Sequence, residues 1–265
     1  MGTIISIMSL MEKLTDILNV RMSMTFLVIL TLAPACTVLG EQTSSETSTT
    51  ASPSPTIAAS SVYQDIPSGV LSLGIHSEPS HWDVHLTSSP VLAAWGPGLV
   101  YSRLMRFLSG PDIEVPNMGT ECDLCTHWEQ ISSTEYEFYI RDDVFWPDID
   151  PLNGRALTAS DIVFSYERQS NVEYPNAYLL SDIRSVEALD RKTLRVTLNS
   201  PDSDLLAKLA SGYSKVVSHE VVTREGNLKD GPVIGTGPWK WDGNRNGIGY
   251  FLEANAEYYE SGFPK

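Results

Sequence analysis

A chain of 265 residues with 42% apolar side chains is long enough to bury a core, and its length allows one domain or two. Its formal charge of -15 leaves no basic face to displace counterions from a phosphate backbone, which argues against nucleic acid as a partner. Three cysteines supply no second pair to complete a four-ligand zinc site.

The first 61 residues read as export and tether. Arg21 precedes an apolar run, residues 22–36, that is shorter than the roughly 20 residues needed to span a bilayer and closes on small side chains, as a signal peptide does. Its end, Leu32-Ala-Pro-Ala-Cys36, is similar to a bacterial lipobox, so residues 1–36 are expected to be a signal peptide with Cys36 as the lipidated mature N-terminus. Ala33 and Pro34 depart from the usual pattern, and plain secretion or an uncleaved anchor are the alternatives. The residues before Arg21 are an overlong leader with Lys13 as their single cation, so Met11 and Met22 are alternative starts. Residues 37–61, rich in Ser and Thr with Pro53 and Pro55, are too poor in large apolar side chains to fold. As a flexible tether they reach roughly 25–30 Å.

Leu71, Leu73 and Ile75 alternate with Val70, Ser72 and Gly74, which predicts a half-buried strand. It opens into a loop over residues 76–86 that crowds His76, His81, His85, Glu78, Asp83 and Trp82 into eleven positions. Leu99, Val100, Leu104 and Met105 suggest a helix over residues 91–108, interrupted at Gly96-Pro97-Gly98, with Trp95 and Tyr101 as core or rim aromatics. Tyr136, Phe138 and Ile140 define one face of a strand. Thr158-Ala-Ser-Asp161 is a capping-box variant that starts a helix, with Ala159, Ile162, Val163 and Tyr166 inward and Glu167 and Arg168 toward solvent. Leu194, Val196 and Leu198 mark another strand, stopped by Asn199-Ser-Pro201. A short helix on Leu205, Leu206 and Leu209 follows, then an extended piece at Val216-Val217. Strands alternating with helices place the chain in the α/β or α+β class.

Gly235-Thr-Gly-Pro238 lacks the Gly-Lys-Ser/Thr of a phosphate loop, and its glycines are expected to allow a tight turn into a strand around Trp239 to Trp241. Cys122 and Cys125, with His127 nearby, admit a disulfide, free thiols or a metal; export favours the disulfide. His76, His81 and His85 are read as solvated or hydrogen-bonded, with a metal site as the alternative. No nucleophile elbow or paired-carboxylate site is apparent, so no enzyme activity is expected.

Taken together and in order, Trp128-Glu129, Glu137-Phe-Tyr-Ile-Arg141, Leu157-Thr-Ala-Ser-Asp-Ile-Val-Phe-Ser165, Leu194-Arg-Val-Thr-Leu198, Gly235-Thr-Gly-Pro-Trp-Lys-Trp241 and Leu252-Glu-Ala-Asn255 resemble the family 5 solute-binding proteins, the oligopeptide-, dipeptide- and nickel-binding receptors of ABC importers. Tyr258-Tyr259 and Gly262-Phe-Pro264 fit the same pattern. Asp143, where a Gly is common, and an expanded stretch from Trp146 to Pro151 depart from it. The resemblance implies a periplasmic-binding-protein type II clamshell, here as a first lobe with an inserted smaller β-rich domain and no second lobe. It divides the chain into first-lobe segments 62–98 and 233–265 and an extra α+β subdomain over 99–232. It implies ligand contacts at His76, Ser77 and Glu78, followed by Trp82 and Asp83. The implied partners are a peptide or other small solute, a permease and ATPase pair, and a membrane surface through the lipid anchor; no cofactor or metal is implied. A surface peptide-binding or chaperone-like module without a transport role is the alternative.

Overall fold

The computed structural model describes residues 69–264 apart from positions 76 and 246, so the expected signal peptide and tether, Cys36 and His76 lie outside the described residues. Its central element is an antiparallel four-stranded sheet in the order β3-β4-β6-β5, built from β3 (Cys125–Ser132), β4 (Glu135–Ile140), β5 (Ile183–Ala188) and β6 (Thr193–Leu198). The period-two alternation explains it: Tyr136, Phe138 and Ile140 on β4 and Leu194, Val196 and Leu198 on β6 are all buried on one face. The register places Phe138 opposite both Trp128 and Leu194, so the apolar set is continuous across strands. The other face is charged, with Glu129 opposite Glu137, Glu137 opposite Arg195, and Arg195 opposite Glu187.

Helix α1 (Ala159–Gln169) covers the apolar face near β5 and β6. Its first turn is closed by Asp161, whose carboxylate accepts the Thr158 backbone N–H at 2.9 Å and the Thr158 hydroxyl at 3.1 Å. Ala159, Ile162 and Tyr166 are buried, and Val163 is half-buried. Ser165 fastens the helix to the following chain, donating to the Val217 carbonyl at 3.1 Å and accepting the Val217 N–H at 2.9 Å. Among the described residues, Trp146, Tyr166 and Phe138 are the largest fully buried side chains. Burial of Phe138 stabilises the fold by roughly 1.5–3 kcal/mol, while the Tyr166 hydroxyl and Trp146 N–H are buried without a protein partner, which offsets part of their gain.

Short elements complete the unit: β1 (Met105–Phe107) paired with β2 (Thr120–Cys122), α2 (Leu205–Leu209), α3 (His219–Glu225), and a hairpin of β7 (Trp239–Arg245) with β8 (Gly249–Ala254). The expected helix over 91–108 is not formed. Gly96-Pro97-Gly98 divides it into a single π turn (Val91–Trp95) and a 3-10 turn (Pro97–Val100), and the chain then runs extended into β1. Tyr101 is buried, whereas Trp95 is 59% exposed. The expected strand over 69–75 is also not formed. Its residues are exposed, Val70 and Leu71 most of all, because no described strand pairs with it and an unpaired strand cannot satisfy its backbone groups.

The glycines of Gly235-Thr-Gly-Pro238 act differently from expectation. Neither has a positive φ. A Cβ on Gly235 would lie 2.2 Å from the Val100 carbonyl oxygen, and one on Gly237 would lie 2.7 Å from the Leu99 carbonyl oxygen. Backbone packs on backbone here, sealed by the Gly237 N–H on the Val100 carbonyl at 2.8 Å. Close approach, not a turn, requires glycine.

Candidate functional site

The loop that follows residue 75 is placed by its last residues. Ser77, Glu78 and Ser80 are exposed, His81 and Trp82 are half-buried, and Asp83 is completely buried. The Trp82 N–H donates to the Lys229 carbonyl at 2.8 Å. Its ring stands 5.3 Å from Trp241 and 5.1 Å from Tyr250, edge-on to the latter, so it belongs to an aromatic cluster with the β7–β8 hairpin. Trp82 therefore supports the loop from beneath, and only part of its surface is left for a ligand. Glu78 lies near Tyr250, whose phenol is raised first by burial and then by the Glu78 charge.

Asp83 is held by four donors. Arg168 of α1 grips it bidentately at 3.0 and 2.5 Å, the Leu228 N–H donates at 3.0 Å, and the His85 N–H at 3.1 Å. This corrects two expectations: Arg168 does not face solvent, being 8% exposed, and Asp83 does not await a ligand's cation, because it has an internal one. Burial pushes the Asp83 carboxyl up, but the Arg168 guanidinium and the Leu228 N–H together hold it below the usual carboxylate range.

His81 and His85 each bond within the protein through one ring nitrogen, while the buried His85 Nδ1 has no partner. His81 accepts the Asp83 N–H on Nδ1 at 3.2 Å. His85 is fully buried with Nε2 2.8 Å from the Lys215 carbonyl, which makes Nε2 the protonated nitrogen. Burial and the neighbouring Arg168 charge push its pKa down to about 4. Cys122 and Cys125 are joined by a disulfide, which occupies both thiols, and His127 is stacked on the Tyr139 ring at 4.2 Å. Trp82, Asp83 and His85 are thus drawn into the protein, and Ser77 and Glu78 are left facing outward.

Sequence reasoning missed Trp241, Tyr250, Arg168 and Lys215. Trp241 lay in a quoted motif but carried no sign of its contact with Trp82. Lys215 is buried and forms no ion pair among the described residues, its Nζ 3.5 Å from the Tyr101 carbonyl; burial and the Arg103 charge, against the opposing Asp123 charge, lower its pKa to about 7. Two open depressions of about 620 and 500 Å³ flank the start of α1 and share Arg155, Thr158, Ser160 and Ala188. Arg155 is committed there to Asp161 and Glu220, and the loop does not line either depression.

Comparison with known proteins gives this arrangement its class. Residues 120–265, more than half of the chain, match the family described as bacterial extracellular solute-binding proteins, family 5 Middle, and the chain belongs to that family. It is 25% identical over 203 residues to the di/tripeptide-binding protein 4 of Pseudomonas aeruginosa, covering 69% of this chain and 37% of that protein. Among solved structures it is similar to the periplasmic binding protein DppA of Helicobacter pylori in complex with the peptide STSA (26% identity, TM-score 0.57, 68% of this chain and 38% of that one). It is similar also to NikZ of Campylobacter jejuni in complex with Ni(L-His) (27% identity, TM-score 0.54, 69% and 35%). The fold is thus α/β, part of a type II periplasmic binding protein, and the chain spans less than two fifths of the length of these relatives. The family is described as extracellular solute-binding, and relatives such as the Helicobacter pylori protein are periplasmic binding proteins. Among the described residues, no helix is long and apolar enough to cross a membrane.

Proposed function

We propose that this chain is the cleft-lining part of an extracytoplasmic receptor that delivers peptides to the permease and ATPase of an ABC importer, held at the membrane surface by lipid on Cys36. The observation that carries the reading is the loop at 76–83. Its polar tip, Ser77 and Glu78, is exposed while its base, Trp82 and Asp83, is fixed against hairpin and helix. In this reading His76, Ser77 and Glu78 meet the ligand: backbone and hydroxyl groups pair with peptide amides, and Glu78 faces a cationic group. Trp82 offers its remaining face to an apolar side chain. Residues 62–98 and 233–265 belong to the cleft lobe, and residues 99–232 to the additional subdomain. Peptides are preferred because relatives named for dipeptides and tripeptides match over most of the folded part.

Taken alone, the cleft-lining part covers one side of a ligand, so for this piece affinity in the millimolar range, about -4 kcal/mol, is expected. Thermal melting of the whole chain tests this with dipeptides, tripeptides and Ni(II)–histidine in parallel. At ten times Kd a peptide stabilises the chain by about 1.4 kcal/mol. A response to Ni(II)–histidine alone would replace peptide by metal chelate as cargo, and no response to any of the three would end the receptor reading.

A further inference from the structure

We infer that Trp82, Asp83 and Arg168 form a clasp that sets where the ligand loop stands, with Arg168 a positioning residue for that loop; the consequence for ligand affinity rests on the receptor reading above. Residues 77–83 contain no helix or strand, so no ladder of backbone hydrogen bonds fixes their course. Two adjacent residues do so instead. Trp82 grips the β7–β8 hairpin through Trp241 and Tyr250, and its N–H is taken by Lys229. Asp83 grips α1 through Arg168 and the 228 turn through the Leu228 N–H.

The chemistry of the grip defines direction as well as distance. A guanidinium that donates two parallel bonds to one carboxylate fixes their common plane, and the Arg168 fork is itself backed by the Tyr174 ring at 5.4 Å. Lysine at 168 would keep the charge and lose the plane. Ser77 and Glu78 lie a few residues from this pivot, so a small rotation at the clasp is carried to the tip of the loop. A shift of about 1 Å is enough to spoil a binding geometry.

The test uses the whole chain and three variants: Arg168→Lys, the neutral pair Asp83→Asn with Arg168→Gln, and Trp241→Phe, whose spectrum identifies the exciton signal of the Trp82–Trp241 pair. The neutral pair avoids a buried charge without a partner. We expect it to lose that exciton signal and to speed hydrogen exchange at amides 77–86 by at least about tenfold while β4 and β6 stay protected, with Arg168→Lys intermediate. Affinity for trialanine, followed by NMR titration, should fall in the same order. Unchanged exchange at 77–86 in the neutral pair would overturn the clasp, as would equal loss of protection in β4 and β6, since Arg168 would then hold only the fold. Equal trialanine affinity in all variants despite a displaced loop would overturn its functional consequence. A parent chain that ignores trialanine while its loop responds as expected would sink the peptide reading and leave the clasp standing.

Discussion

Two ion-pair clusters in this molecule use the same chemistry under different solvents. Asp83 and Arg168 are 0% and 8% exposed, whereas Arg195 on the outer sheet face is 36% exposed and its partners Glu135 and Glu137 are 30% and 14% exposed. The inner pair has given up hydration that its mutual attraction only roughly offsets, so the pair as a whole adds little and either partner alone is ruinous. The outer pair sits in a mixed field, with the like charge of Glu129 across from Glu137 and the opposite charge of Glu187 across from Arg195, and water screens all of them. Access to water, not bond length, decides what each is worth: the outer contact at 2.6 Å is nearly as short as the inner one at 2.5 Å.

The largest effect that would break this contrast is at the inner pair. Asp83→Ala or Arg168→Ala should cost about 3–5 kcal/mol in urea unfolding, because each leaves a buried charge unpaired; a loss under 1 kcal/mol would place the two clusters on the same footing. Acid comes next. His85 has a folded pKa of about 4 against an ordinary 6.5, so the fold favours the neutral ring. Its contribution is fully present above pH 6.5 and is lost as pH falls from 6.5 to 4, about 3 kcal/mol in all. Asp83, also depressed, loses its contribution at lower pH still. Urea midpoints across that window check the sign, and His85→Gln should flatten the curve.

Lys215 sharpens the comparison as a buried amine that forms no ion pair among the described residues. Lys215→Met should raise stability at pH 7 by about 1–3 kcal/mol. Its folded pKa of about 7 lies below the ordinary 10.5, so the parent recovers stability as pH rises through that interval, and the advantage of methionine should shrink toward pH 10. The smallest effect belongs outside: Arg195→Ala should change stability by less than about 1 kcal/mol and by still less in 1 M salt.

The two inner strands of the sheet, β4 and β6, were legible in the sequence because a two-residue period is a local property: Tyr136, Phe138 and Ile140 announce their face without reference to the rest of the chain. The edge strands β3 and β5, with mostly exposed or half-buried residues, carry no such alternation and were not expected. Helix α1 was legible through Thr158 and Asp161 for the same reason. Helix α3 had local signals that went unread, Ser218 as an N-cap accepting the Val221 N–H at 3.2 Å and Gly226 in the left-handed conformation at φ 77°. The clasp was not legible at all. Asp83 and Arg168 are 85 positions apart, and an arginine on a helix reads as solvated until the fold brings an acid to it. The stretch at 69–75 shows the converse, since alternation states which side of a strand is apolar but not whether a neighbour exists to pair with it.

The contact of Gly235 and Gly237 with Leu99 and Val100 has a consequence for how far this chain can vary. A library of all substitutions should find both positions intolerant even of alanine, since one methyl group at 235 meets a carbonyl oxygen at 2.2 Å with nothing flexible to yield. Neighbouring Trp239 and Lys240, half-exposed on the hairpin, should accept many replacements in the same experiment. The motif is therefore a record of steric exclusion, and its two glycines would persist under selection for folding alone, whatever the protein carries.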